Sequence, residues 1–98
     1  MRAGALAQKS GDLDRALAEY SKAAAQDQPG AEAKAAEVRK QLVQRHTLSA
    51  RTAFAKQDLD GAIRSWERVL AVDPGNETAK LERQRALTLK EKVKGLGT

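Results

Sequence analysis

Residues 57–76 read QDLDGAIRSWERVLAVDPGN, and six of them have a twin upstream. Asp12-Leu13-Asp14-Arg15-Ala16-Leu17 returns 46 residues later as Asp58-Leu59-Asp60-Gly61-Ala62-Ile63. The correspondence extends outward, pairing Ala7 with Ala53, Tyr20 with Trp66, Ala25 with Ala71 and Asp27 with Asp73. In each copy a stretch with small residues on one helical face (Gly4 and Ala7; Ala50 and Ala53) precedes a tight turn. A second helical stretch then carries Ala followed four residues later by an aromatic, Ala16 with Tyr20 and Ala62 with Trp66. Side chains four apart share a helix face. Small residues let the facing backbone approach, and the ring fills the space one turn on, which is how a helical hairpin locks.

Composition agrees with helices. Hydrophobic residues make up 41% of the 98, yet 19 of them are Ala, and Leu, Ile, Val and Phe together number 18. A thin interior of Ala and Leu suits closely packed helices, whereas sheets need the β-branched and aromatic residues that are scarce here. The chain is the size of one domain. With no Cys there is no disulfide framework, thiolate metal site or cysteine nucleophile. No apolar run approaches the roughly 20 residues that cross a bilayer, and no signal-like segment opens the chain.

Gly and Pro mark the joints at Gly11, at Gln28-Pro29-Gly30 and at Asp73-Pro74-Gly75-Asn76. The expected helices are 2–10 and 12–26 (a first hairpin over 2–26), an unbroken long helix over 31–56, then 59–72 and 77–94. Ala35, Val38, Leu42, Ser49, Ala50 and Ala53 recur at helical spacing along the long helix. Asn76 is placed to cap the last helix. That helix carries Leu81, Ala86, Leu89, Val93 and Leu96 as an amphipathic cover for the second hairpin. The expected fold is all-α: antiparallel helical hairpins stacked as a short array with a C-terminal capping helix, one domain over residues 1–98.

With these residues the chain resembles the tetratricopeptide repeat family over about two-thirds of its length. The structural signature is Gly4, Gly11, Ala16 and Tyr20 in the first copy, and Ala50, Ala62, Trp66 and Pro74 in the second, closer one. There are departures. Gln28 stands where the family's closing Pro belongs, with Pro29 one place late; His46, Ser49 and Ala53 replace its usual Trp, Leu and Tyr. The 46-residue offset exceeds the family's repeat of about 34 by some three helical turns within the long helix. Because the first copy lacks its opening turn, a longer parent protein is expected.

Catalytic parts are missing. His46 is the sole imidazole and lies on the helical face of Ser49, Ala50 and Ala53, the position of an interface side chain; no oxyanion loop accompanies the His46–Ser49 pair. Asp12, Asp14, Asp58 and Asp60 sit at turns too short for a calcium loop and read as helix caps and first-turn acids. Gly95 and Gly97 end the chain with no helix behind them to form a phosphate cradle. We therefore expect no enzyme, no cofactor and no metal.

The formal net charge is +5, with cations gathered in the long helix (Lys34, Arg39, Lys40, Arg45, Arg51) and the last one (Lys80, Arg83, Arg85, Lys90, Lys92, Lys94). Glu32, Glu37, Glu77, Glu82 and Glu91 are interspersed, and one Phe, one Trp and one Tyr give bases no stacking platform. Nucleic acid is thus an unfavoured partner. The resemblance implies instead an adaptor whose concave groove takes a partner peptide. Carried onto this sequence, that groove is Gln44, Thr47, Leu48, Arg51 and Phe54, continued by Arg2 and Lys9; the stripe also follows helical spacing by itself. Met1, Ala5, Leu48, Thr78 and Glu82 occupy the places of the family's carboxylate clamp, so that clamp is absent. The expected partner is a protein or peptide, acidic or mixed in charge. A second reading is a self-associating unit, with a hairpin exchanged between two chains along the long helix. The Ala- and Arg-rich composition is the one hint of a bacterial source, and cytoplasm and periplasm both stay open.

Overall fold

The computed structural model describes residues 1–96. Among them every regular element is a helix: α1 (Arg2–Lys9), α2 (Leu13–Ala25), α3 (Ala31–Ala55), α4 (Leu59–Val72) and α5 (Glu77–Leu96). The fold is an all-α, repeat-like helical array. Each expected helix is present with ends shifted by at most two residues. The last runs through Gly95 to Leu96, while Gly97 lies outside the described residues. The chain divides into two compact units, Met1–Leu42 and one from Val43 onward.

The turns explain why the helices stop where they do. After α1, the Asp12 N–H donates to the Ala7 carbonyl (2.9 Å) and the Gly11 N–H to Gln8 (3.1 Å). The same pair recurs after α2 (Gln28 to Ala23, 3.1 Å; Asp27 to Ala24, 3.0 Å) and after α3 (Asp58 to Ala53, 2.8 Å; Gln57 to Phe54, 2.9 Å). This is the Schellman closure, which satisfies orphan carbonyls through one residue in the left-handed region. Gly11 (φ 85°), Asp27 (φ 57°) and Gln57 (φ 63°) take that role. Asp12 and Asp58 then start the next helix, each accepting from the third residue on: the Arg15 N–H at 3.1 Å and the Gly61 N–H at 2.9 Å. One aspartate both ends a helix and begins another. Such a cap is worth about 1 kcal/mol.

The end of α4 departs from this pattern. Pro74 pushes Asp73 into extended backbone (φ −141°), because a residue before proline avoids the helical region. In the first copy Pro29 comes one residue later, so Asp27 is free to turn. Asn76 opens α5, accepting from the Ala79 N–H at 2.9 Å.

In the first unit α1 packs on α2, with Gly4 and Ala7 buried on one helix and Leu13, Ala16, Tyr20 and Ala23 on the other. Tyr20 is 2% exposed. Its hydroxyl donates to Gln8 Oε1 (3.1 Å), and Gln8 Nε2 donates to Gln41 Oε1 (3.1 Å), tying α1, α2 and α3 through one polar chain. The front of α3 buries Ala31, Ala35, Val38 and Leu42. The approach of α1 to the ring is close: a Cβ built at Gly4 would lie 2.8 Å from Tyr20 Cδ1 and Cε1.

In the second unit Ala50 of α3, Trp66 and Val69 of α4 and Ala79 of α5 form the core, with Val43 and Leu70 against it. Trp66 is 3% exposed and Ala50, Ala62 and Ala86 are fully buried. Here the expectation for α5 is corrected. Its inner seam is Ala79 and Ala86, while Leu81, Leu89, Val93 and Leu96 are exposed. With Trp66 and Ile63 already filling the α4 side, only small residues fit between the two helices, and the bulky ones are displaced to the flanks. Of the signature residues, Pro74 is exposed and acts through the turn.

Two substitutions follow from the repeat. Gly4→Ala should destabilise the chain by about 1–3 kcal/mol despite its better helix propensity, because the buried ring has no room to yield. Gln57→Gly should stabilise it by about 0.5–1 kcal/mol by relieving left-handed backbone at the place where the first copy already has Gly11. Urea denaturation of the two variants checks both signs.

Candidate partner-binding surfaces

Bulky side chains left in water define the surfaces worth considering. In the second unit Leu48 is 68% and Phe54 44% exposed. Gln44 and Arg51 are also exposed, and Thr47 is half-buried. Gln44, Leu48, Arg51 and Phe54 thus face solvent on the long helix, and neither Leu48 nor Phe54 is absorbed into a core. Phe54 lies on a recess of ≈ 380 Å³ whose other lining comes from α5: Leu81, Gln84, Arg85, Thr88, Leu89 and Lys92. This α5 wall was not read from the sequence. Its signal was there, since residues 81, 85, 88 and 92 recur at helical spacing, but the leucines of α5 were assigned to the core.

In the first unit Arg2 and Lys9 line a recess of ≈ 460 Å³ with Met1, Ala5, Gln8, Tyr20 and Lys34. Its charged lining is entirely cationic. Lys34 is partly offset by Glu37 at 3.6 Å. A smaller hollow of ≈ 290 Å³ between α1 and α2 is edged by Leu6, Ala7, Asp12 and Arg15.

Ion pairs consume much of the remaining positive charge. Arg83 binds Glu67 on α4 through both Nε and Nη2 (3.3 and 3.2 Å), and Lys90 Nζ lies 2.6 Å from Asp60 Oδ1. These pairs fasten α5 along α4. Arg85 meets Glu82 at 3.0 Å and Lys80 meets Glu77 at 3.6 Å within α5. The hydrogen bond and charge of Lys90 hold the Asp60 carboxyl below the usual carboxylate range, and Asp60 in turn raises Lys90 above the usual lysine value.

His46 is half-buried and Ser49 is exposed. Among the described residues no three His, Cys, Asp or Glu side chains gather to hold a metal ion, and no helix is long and apolar enough to cross a membrane. Comparison with protein-family models, with curated proteins and with solved structures finds no match to this chain.

The Asp60–Lys90 pair makes a signed prediction. The Asp60 contribution is present above the ordinary carboxylate value and is lost as pH falls through the depressed folded value. The Lys90 contribution is present below the ordinary lysine value and is lost as pH rises through the raised one. Thermal melts at low salt should therefore show a small stability loss in Asp60→Asn at neutral pH that disappears in strong acid and shrinks in high salt, since both groups are exposed. A deficit that persists unchanged in acid would mean the aspartate acts by something other than its charge.

Proposed function

We propose that this chain is a non-enzymatic protein-interaction module, built as a divergent tetratricopeptide-like array, that binds a partner peptide or protein at a basic groove. One observation carries the reading: Phe54, Leu81 and Leu89, large apolar side chains, stand exposed around one recess beside Arg85 and Lys92. Exposed apolar groups rimmed by polar ones mark interaction surfaces. Arg51 and Leu48 are exposed on the same helix as Phe54, one and two turns before it, while Arg2 and Lys9 edge the cationic recess of the first unit. In this reading function lives in the side chains shown to solvent, not in the buried repeat signature.

Self-association is the second reading, and α5 favours it specifically: Val93 and Leu96 continue the apolar edge beyond the recess and are more than half exposed. Sedimentation at micromolar concentration separates the two, because a strict monomer leaves only the partner-binding reading. Nucleic acid draws less support. Tyr20 and Trp66 are buried and unavailable for stacking, and five of the cations are already engaged by carboxylates.

The module is tested by titrating the chain with peptides from proteins that co-purify with it, at low and high salt, before and after Arg51→Glu. Reversing this exposed charge should weaken binding about tenfold and reduce its salt dependence. Unchanged binding in the variant would remove the groove from consideration.

A further inference from the structure

We infer that the second-unit groove between α3 and α5 is shaped for an acidic amphipathic helix of a partner protein. The inference rests on the interaction-module reading and adds the chemistry of what is bound.

The walls decide the partner's backbone. Both are α-helices, whose main-chain N–H and C=O groups are spent within the helix, so the groove offers no edge on which an extended strand could pair. A helix needs no such edge. It docks by side chains at i, i+3 or i+4, and i+7, and the apolar side chains awaiting it are Phe54 on one wall and Leu81 and Leu89 on the other. From Leu81 to Lys92 the α5 wall advances by about 16 Å, some three helical turns at ~1.5 Å per residue. A partner helix of that length can set two or three apolar residues against these three.

The charges decide the partner's sign. From Val43 to Lys56 the chain carries Arg45, Arg51 and Lys56 and not one carboxylate. The recess adds Arg85 and Lys92. Arg85 shares its charge with Glu82, whereas Arg51 and Lys92 have no ion pair among the described residues. Glu77 and Glu91 belong to α5 but do not line the recess, and Glu77 is engaged by Lys80. Acidic residues flanking the apolar stripe of an incoming helix would thus meet Lys92 at the recess and the exposed Arg51 on α3, while a basic helix would meet like charge. The same reasoning disfavours a second copy of this chain placing the same cationic face against the groove.

The test is a selection followed by a mutational check. The full chain is panned against two peptide libraries, one displayed on a rigid helical scaffold and one linear, and the enriched sequences are measured against the unaltered chain, Leu81→Ser and Lys92→Glu. Both altered side chains are exposed, so the fold is kept, which circular dichroism verifies. We expect the helical library to yield net-acidic sequences with Leu, Ile or Met at i, i+4 and i+7 that bind each variant about tenfold more weakly. Enrichment of basic or uncharged helices, of linear peptides alone, or of acidic helices indifferent to both variants would overturn the inference while leaving the module reading standing. Failure of both libraries to yield any binder would overturn both readings.

Discussion

A ring pressed against a residue too small to resist it is the contact on which the rest of this structure depends. Tyr20 lies against the bare backbone at Gly4, and Trp66 shares its buried core with Ala50, Val69 and Ala79. In a chain with three aromatic residues, two are committed to this task and are almost wholly buried. Few other bulky groups are available, since so much of the apolar content is alanine. Each aromatic therefore supplies a large share of its unit's buried area, and alanines at neighbouring positions bring the helices near enough to touch it.

The two copies solve the same problem with different parts. Tyr20 has a hydroxyl that must be satisfied when buried, and Gln8 and Gln41 extend from it as a polar chain. Ordering three helices about one hydroxyl leaves α1 close enough to the ring that glycine is required. In the second copy alanine shares the core with the indole, and ion pairs from Asp60 and Glu67 to α5 add an electrostatic fastening for which the described residues of the first copy show no counterpart. Both copies keep the same hairpin turn, in which one aspartate receives the end of one helix and caps the next. At its left-handed residue, glycine in the first copy and glutamine in the second show which of the two has kept the unstrained choice.

Much of this architecture was legible before any coordinates. Repeat pairing located the two aromatics and their small partners, and Gly11, Pro29 and Pro74 with Asn76 marked the joints, because backbone stereochemistry is local and is written in single residues. The solvent-facing stripe on α3 was legible for the same reason: Gln44, Leu48, Arg51 and Phe54 follow one helix face and are exposed. The orientation of α5 was not. Its leucines and its alanines both recur at helical spacing, and which set turns inward depends on how much room Ile63 and Trp66 leave, a property of the partner helix. As a result Leu81 and Leu89 were assigned to the core, and the exposed apolar side of the recess beside Phe54 was missed.

Trp66 is the only tryptophan in the chain, so its fluorescence reports on the central contact without any label. Emission shifted to the blue of free tryptophan and shielded from acrylamide, with both properties lost together on unfolding, is the result required of an indole buried in the core with Ala50. Native-state emission matching the unfolded chain, freely quenched by acrylamide, would show the ring in water and contradict the account.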